Sequence, residues 1–318
     1  ALFRKEGIML CHAPLHGISD LSSAWTLSKM LRERKGQTII IHVHNYRDAF
    51  IALLARKIAG MKEVRVVSTY HRVKKGRDSR MMRRTYRNLD TQIFLSRYSY
   101  TRFCDTWRDK QLPFPEQRVE ILSNSLLVEK AQPVAEPAKG PITGMFHGTI
   151  TEGKGLEYLI DALALLRKEK IRIRIVGSGE PDYIDTLRQR ASARGVMGAI
   201  DWYRHTDNPF ELISTCHFGV LPAMREEAFG LANIEYMACG RPMVTTSSGA
   251  QGEYLTDGRE ALIVPPGNST ALAEAMRHLA QDADLRRRMG EAAAQTFNAT
   301  LSWPRFIARL RKIYLGGC

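Results

Sequence analysis

Short apolar runs alternate with longer amphipathic segments along this chain, and the alternation predicts strands joined by helices. In the first half, helices are predicted over residues 47–59, from about Ser79, and after Ser96, a good N-cap residue. The predicted strands cover residues 39–45, 64–71, 92–95, 119–122, 142–147, 171–176 and 216–221. This order of elements predicts the α/β class.

A change of pattern divides the chain. Residues 130–141 contain three prolines and a glycine and show no periodicity, which is typical of a domain boundary. We predict one domain over residues 1–137, a second over 138–300, and a terminal segment over 301–318. In that last segment, Trp303, Phe306, Leu310 and Ile313 recur along one side of a predicted helix.

The stretch from Pro222 to Pro242 follows the predicted strand 216–221 and contains a predicted helix over residues 229–239. The helix is expected to stop at Gly240, because Gly takes the left-handed cap conformation readily. Backbone N–H groups of a first helical turn have no helical acceptor. We therefore expect the amides of Phe229, Gly230 and Leu231 to form an anion site.

Two carboxylates flank this helix start, Glu227 before it and Glu235 within it. On a continuous helix, eight residues would separate them by about 80° and about 12 Å, so they would not share a proton or a metal. They are suited to accept hydroxyls from one elongated anionic ligand, such as a sugar nucleotide. The alternative is that both are solvent-facing acids with no ligand.

The run Glu227-Ala-Phe-Gly-Leu-Ala-Asn-Ile-Glu235, followed by Met-Ala-Cys-Gly-Arg-Pro-Met-Val244, resembles the Glu-x(7)-Glu signature of retaining glycosyltransferases of family four. Further matching motifs extend the resemblance over roughly residues 39–315. It implies the GT-B fold, with two doubly wound Rossmann-like domains facing across a cleft. It also implies transfer of a sugar from a nucleotide donor, such as a UDP- or GDP-sugar, with retention of anomeric configuration.

The resemblance assigns roles to particular residues. Glu235 would accept ribose hydroxyls and Glu227 a hydroxyl of the sugar, while Lys154 and the amides of residues 229–231 would hold the diphosphate. His71, at the end of the predicted strand 64–71, would face the donor sugar and aid its orientation. The alternative for His71 is a solvated residue at a strand tip.

The glycine-framed loop from Gly148 to Gly155 lacks the Walker spacing but contains Lys154, which can hold a phosphate. In this resemblance Thr149 stands where an arginine is usual, and Arg225 is a candidate substitute. Gly177, Gly179 and His205 fall where the nucleotide would lie. No metal or other cofactor is expected, because Lys154 and a helix dipole would neutralise the diphosphate.

The resemblance also bears on the two ends of the chain. The terminal helix would cross back to the first domain. Residues 1–11 are more typical of a late strand than of the start of a nucleotide-fold domain, so an N-terminal segment is expected to be missing.

The charge is unevenly distributed. Residues 1–140 hold 26 Lys and Arg against 13 Asp and Glu, whereas residues 141–318 hold 21 against 20. The segment from Arg72 to Arg87 is the most basic, and Met82 and Tyr86 would lie one turn apart on its helix. Its candidate membrane or acceptor contacts are Lys74, Lys75, Arg80, Arg83, Arg84 and Arg87.

We expect this basic segment to contact an anionic membrane or an acidic acceptor, although a solvated basic face is the alternative. Nucleic acid is disfavoured, because no RNA- or DNA-binding motif accompanies the basic residues. No apolar run is long enough to span a membrane, and the five cysteines form no C-x-x-C pair. These features predict a cytoplasmic protein, peripheral at the inner face of the membrane.

The predicted function is transfer of a sugar to a glycan or lipid-linked acceptor, in the synthesis of cell-surface polysaccharide or lipopolysaccharide. Two alternatives stay open. A sugar-nucleotide epimerase would turn over the donor without an acceptor, and a non-catalytic module would bind a nucleotide sugar or a membrane without turnover.

Overall fold

The computed structural model describes residues 21–112, 114, 119–128, 130–137 and 140–316. The predicted strand within residues 1–11 lies outside this range. The described residues form two compact units. The first comprises the described residues up to Leu95, Tyr100–Leu122 and those from Leu310 on; the second comprises Ser96–Ser99 and Ser123–Arg309. The domain limits drawn from the sequence remain predictions.

The first unit contains a parallel four-stranded sheet with strand order β1-β2-β3-β4. Its elements are α1 (Leu21–Arg32), β1 (Ile40–Val43), α2 (Tyr46–Ala59), β2 (Arg65–Tyr70), α3 (Arg80–Asn88), β3 (Thr91–Phe94), α4 (Arg97–Asp109) and β4 (Val119–Ile121).

Local sequence explains where these helices begin and end. Asn45 caps α2 by accepting a hydrogen bond from the Asp48 amide, and Gly60 ends it with φ 71°. The Ser79 side chain accepts from the Met82 amide and starts α3 at the predicted position.

The second unit contains a parallel six-stranded sheet with strand order β10-β9-β8-β5-β6-β7. Its elements are β5 (Thr143–His147), α5 (Leu156–Leu165), β6 (Arg172–Val176), α6 (Pro181–Ala193), β7 (Ile200–Tyr203), α7 (Pro209–Ser214), β8 (Phe218–Leu221), α8 (Leu231–Ala238), β9 (Met243–Thr246), β10 (Ala261–Val264), α9 (Ser269–Gln281) and α10 (Ala283–Thr296). The last helix, α11 (Trp303–Leu315), begins in the second unit, and its residues from Leu310 on belong to the first. In the same way, α4 of the first unit starts within Ser96–Ser99 of the second.

The strands of the second unit are apolar on both faces because helices cover both sides of a parallel sheet. Phe146, Ile173, Phe218 and Val244 are almost completely buried. Leu156, Leu159, Ile160 and Leu163 of α5 pack into the same core, as their helical spacing predicts.

Two expectations about local structure are corrected. The helix predicted over residues 229–239 begins at Leu231, because Gly230 precedes it in a left-handed conformation at φ 87° and ψ 74°. Glu227 therefore lies outside the helix. The separation of about 80° expected between Glu227 and Glu235 holds only along a continuous helix, so it does not apply.

The second correction concerns α3. Met82 and Tyr86 are not available to a membrane, because they are buried with Phe103 and Trp107 in the core of the first unit. The apolar stripe of this helix is a packing face.

Gly155, the N-cap of α5, should be hard to replace. It has φ 71°, and an added Cβ would lie 2.0 Å from the carbonyl oxygen of Pro222. Gly258 has a similar φ of 75° but no atom within 4 Å of an added Cβ. We expect Gly258→Ala to lower the free energy of unfolding by about 1–2 kcal/mol from backbone strain alone.

Gly155→Ala should cost distinctly more, because the Pro222 carbonyl must also move. Thermal or urea unfolding of the two variants measures the difference. Equal losses in both variants would show that the loop at Gly155 relaxes freely.

Candidate functional site

Three loops of the second unit meet where β5, β6 and β8 end. Because these strands are parallel, their carboxyl ends share one edge of the sheet, which is where open α/β sheets bind ligands. The three loops are the β5–α5 loop (148–155), the β6–α6 loop (177–180) and the β8–α8 loop (222–230).

The first two loops touch through their backbones. The amide of Ile150 donates to the carbonyl of Ser178 at 2.8 Å. A Cβ at Gly177 would lie 2.0 Å from the carbonyl oxygen of Gly148, and one at Gly179 would lie 2.1 Å from that of Ile150. Gly177 and Gly179 therefore allow the backbones of the two loops to pack closely at the edge of the site.

The β5–α5 and β8–α8 loops are joined at Gly153. Its carbonyl accepts from the amides of Met224 and Arg225 at 2.9 and 3.1 Å. The aliphatic stem of Arg225 lies across Gly153, since an added Cβ there would be 2.5 Å from its Cδ. The structure thus brings the exposed Arg225 beside the loop in which Thr149 replaces the expected arginine.

Lys154 and Glu227, predicted separately, are in contact. Nζ of Lys154 donates to Oε1 of Glu227, and their side chains are 33% and 24% exposed. The pair stands at the site edge with each charge compensating the other. A ligand that takes either charge must compete with this ion pair.

The start of α8 offers unpaired amides. Within the described ranges, the N–H groups of Gly230 and Leu231 have no hydrogen-bond acceptor, whereas the amide of Asn233 donates to the Gly230 carbonyl at 3.1 Å. The Tyr254 hydroxyl donates to the carbonyl of Phe229, which is itself buried. This geometry leaves backbone donors available for an anion.

Glu235 lies on α8 and is held by a residue that sequence reasoning did not select. Oε2 of Glu235 contacts Nε2 of His147, the buried last residue of β5. His71 was selected by the family resemblance together with its place at the carboxyl end of a strand, and the second of these signals applies equally to His147.

The other predicted donor-site residues occupy the same sheet edge. Gly148 and Thr149 are exposed, as is Leu231. His205 follows β7 and is exposed, with Nε2 3.2 Å from a carboxylate oxygen of Asp207. No hydrogen bond joins His205 to the three central loops among the described residues.

In the first unit, His71 stands just after β2 and is exposed. Its Nε2 lies 2.8 Å from Nδ1 of His44, which follows β1. Burial and the neighbouring His44 lower the pKa of His71, so the fold favours its neutral form. His42, on β1, hydrogen-bonds to Thr69 and Tyr314 at 2.7 and 2.6 Å.

Burial, with repulsion from His44 and His71, lowers the pKa of His42 from 6.5 to about 4. The unfolded chain therefore binds a proton in a pH range where the folded chain does not. The free energy of unfolding should fall as the pH drops below 6.5, and the loss should be complete below about 4.

The total decrease in the free energy of unfolding is about 3 kcal/mol at most. Thermal melts between pH 7 and 4 measure it, and His42→Gln should show a shallower dependence because its amide does not titrate. An equally steep dependence in the variant would assign the effect to other groups.

Several residues of the predicted basic surface are engaged with acids. Lys75 donates to Asp109 at 2.6 Å, and Arg83 contacts Asp78. Lys74, Arg80, Arg84 and Arg87 are exposed. Cations thus remain on the outward face of α3, although its apolar stripe faces the core.

No helix in the described ranges is long and apolar enough to cross a membrane. Nor do they contain a group of three or more His, Cys, Asp or Glu side chains placed to hold a metal ion.

Two parallel α/β units, the second with charged side chains and backbone amides at its strand ends, are the architecture expected of the GT-B fold. Two family models match the chain. The one described as "Glycosyl transferases group 1" matches residues 128–296, more than half of the chain, and "Glycosyltransferase Family 4" matches residues 4–126. The chain belongs to glycosyltransferase family four.

Its relatives are distant in sequence. It is 26% identical over 313 residues to a glycogen synthase of Mycobacterium tuberculosis, covering 94% of this chain and 74% of that protein. It is 25% identical over 288 residues to the phosphatidyl-myo-inositol mannosyltransferase of Mycobacterium leprae, covering 88% and 74%.

A solved structure shows the same fold. The Anabaena protein Alr3699/HepE, crystallised in complex with UDP-glucose, superposes with a TM-score of 0.79 at 19% identity, covering 99% of this chain and 88% of that one.

Proposed function

We propose that this protein transfers a sugar from a UDP- or GDP-sugar to a lipid-linked or glycan acceptor, with retention of anomeric configuration. One observation carries the proposal. Lys154 and Glu227 lie at the same sheet edge as the amides of Gly230 and Leu231, which have no acceptor among the described residues. Glu235 lies on the helix that begins at Leu231. These groups match the parts of a nucleotide sugar.

The donor's parts are assigned by charge. The diphosphate is placed at the Gly230 and Leu231 amides and at Lys154, because anions bind helix N-termini and ammonium groups. Glu235 accepts ribose hydroxyls, and Glu227 accepts a hydroxyl of the sugar. The UDP-glucose complex of the Anabaena protein supports a nucleotide-sugar donor for this fold.

Leaving-group stabilisation in this proposal comes from the protein itself. Lys154, the helix amides and Arg225 surround the position of the diphosphate, with Arg225 taking the place of the arginine expected at Thr149. Charge on a departing diphosphate is where fixed donors contribute most to rate. We propose that the reaction needs no metal and that Gly148, Gly177, Gly179 and His205 border the nucleotide.

Retention is proposed to follow a front-face route. The acceptor hydroxyl forms its bond to the anomeric carbon on the face from which the nucleotide leaves, and a phosphate oxygen of the donor takes the hydroxyl proton. No carboxylate need act as nucleophile, which fits Glu227 paired to Lys154 and Glu235 to His147. His71 keeps its predicted role of orienting the donor sugar, on the family resemblance alone.

The acceptor is proposed to be anionic and membrane-linked. The excess of Lys and Arg lies in residues 1–140. A relative covering 88% of this chain is named for mannosyl transfer to a phosphatidylinositol. We place the protein at the cytoplasmic face of a membrane, in the synthesis of cell-surface polysaccharide or lipopolysaccharide.

Membrane binding can be tested on α3. Replacing Arg80 and Arg84 together by Glu should weaken binding to phosphatidylglycerol vesicles at low salt by at least about 30-fold, because each lost cation near the surface is worth about 1 kcal/mol. Reversing two exposed cations of the second unit, Lys168 and Arg204, is the control. Failure of the unaltered protein to bind the vesicles would remove the membrane from the proposal.

A turnover assay tests the reaction class. The protein is incubated with UDP- and GDP-sugars, with and without a polyprenyl-diphosphate-linked glycan, and the release of nucleotide and the anomeric configuration of the product are measured by NMR. We expect acceptor-dependent release, a retained anomer, and no effect of EDTA. Donor turnover without acceptor would indicate an epimerase, and nucleotide binding without any turnover a non-catalytic module.

A further inference from the structure

His147 is the last residue of β5, and its ring is almost enclosed, with 9% of the side chain exposed. On one side, Nε2 contacts Oε2 of Glu235. On the other, Nδ1 lies 2.9 Å from the hydroxyl of the buried Tyr236, and that hydroxyl lies 2.7 Å from the carbonyl oxygen of Met145. Four groups thus form one hydrogen-bonded chain from the strand to α8.

The number of protons in this chain follows from what each group can do. A carbonyl oxygen only accepts, so the single phenol proton of Tyr236 is used on Met145. Nδ1 of His147 must then donate to the phenol oxygen. Nε2 faces a carboxylate, which also only accepts, so a second proton must lie between Nε2 and Oε2 of Glu235. The His147–Glu235 pair therefore holds one shared proton and is neutral as a unit.

The surroundings keep the rest of this chain uncharged. Burial raises the pKa of Tyr236 well above its usual value, with Cys216, Glu235 and Cys239 acting in the same direction. Burial also raises the pKa of Cys216 to about 12 and that of Cys239 to about 11. Near neutral pH, the phenol and both thiols are therefore protonated and uncharged.

We propose that His147 is a positioning residue that fixes the Glu235 carboxylate for the donor ribose, and that nucleotide binds tightly only while Nε2 of His147 holds this carboxylate. The inference rests on the proposed function, because it uses Glu235 as the ribose acceptor. It adds a residue outside the Glu227–Glu235 motif.

The shared proton explains how Glu235 is set for binding. With Oε2 held by Nε2, the other carboxylate oxygen, Oε1, is left to accept ribose hydroxyls. Without the N–H at Nε2, nothing in this contact holds Oε2, and the Glu235 side chain is free to turn away. Nucleotide affinity should therefore fall when the hydrogen bond from His147 is removed.

Two substitutions at His147 separate its hydrogen bond from its packing. His147→Phe keeps a ring of similar shape but removes both N–H groups. His147→Gln carries an amide N–H that can still reach Glu235. The readout is the UDP affinity of the full chain by calorimetry, with thermal melting to confirm folding. If UDP does not bind, GDP is the probe.

We expect His147→Phe to weaken UDP binding by about 10- to 100-fold, the usual effect of losing a hydrogen bond to a charged group. His147→Gln should recover part of the affinity, because its amide N–H can still reach Glu235. A purely structural role would lower the melting temperature and leave the UDP affinity of the folded variants unchanged.

The outcomes separate this inference from the proposed function. If neither UDP nor GDP binds, or if Glu235→Ala binds as well as the unaltered protein, the proposed donor site is wrong. If Glu235→Ala loses binding while His147→Phe keeps the affinity, the donor site stands and the role of His147 is wrong.

Discussion

A Lys154→Met variant is expected to transfer sugar about 10²–10³-fold more slowly, the usual cost of removing one donor from a developing negative charge. Lys154 ends the β5–α5 loop, and its ammonium contacts Glu227. In the proposed reaction this ammonium neutralises the departing diphosphate. UDP should also bind more weakly, by about 10- to 100-fold, because a charge-assisted hydrogen bond is lost.

Met retains the length and the apolar stem of the lysine, so the change tests the charge. Lys168→Met is the matched control, since Lys168 is exposed in the turn after α5 and has no role in the site. Initial rates and calorimetry with UDP measure both effects. An unchanged rate in Lys154→Met would mean that the diphosphate lies elsewhere.

The second large effect is expected from Glu227→Gln. The proposed contact of Glu227 is with the donor sugar, so its loss should reduce transfer by about 10²-fold or less, within the range of one charged hydrogen bond. The change also releases Lys154 from its ion pair. UDP, which lacks the transferred sugar that Glu227 is proposed to bind, should therefore bind at least as tightly as before.

This opposite response of turnover and UDP affinity distinguishes Glu227 from Lys154. Glu274→Gln, an exposed carboxylate on α9, controls for the loss of one negative charge. Calorimetry with UDP and initial rates with the UDP-sugar supply the comparison. Weaker UDP binding in Glu227→Gln would show that the carboxylate supports the nucleotide or the loop, and its role at the sugar would be wrong.

Much of the fold was accessible from local sequence signals. The helices predicted over residues 47–59 and from about Ser79 are present as α2 and α3, which Asn45 and Ser79 cap. The apolar runs predicted parallel strands, and the family motifs predicted the GT-B fold. These signals are short-range, because caps and periodicity depend on residues within one or two turns.

The incorrect predictions concern features that tertiary contacts determine. Met82 and Tyr86 are one turn apart among arginines, and periodicity does not distinguish a core-facing stripe from a membrane-facing one. The start of α8 moved to Leu231 because Gly230 adopts a left-handed conformation, with its Cα near the side chains of Asn233 and Tyr254.

Candidate residues of the site could be selected from the sequence, but the contacts between them could not. Lys154 and Glu227 are far apart in sequence, and their ion pair depends on Gly153 joining two loops. His147 was missed for the same reason. Its partner Glu235 lies on a helix that reaches β5 only in the folded sheet.

The central claim is that the second unit binds a nucleotide through Glu235. Calorimetry of the full chain against UDP, GDP and ADP tests it most directly, with Glu235→Ala and the control Glu274→Ala measured alongside. We predict that UDP or GDP binds, that Glu274→Ala keeps the affinity, and that Glu235→Ala loses it. Binding that survives in Glu235→Ala, or no binding of any nucleotide to the unaltered protein, would contradict the claim.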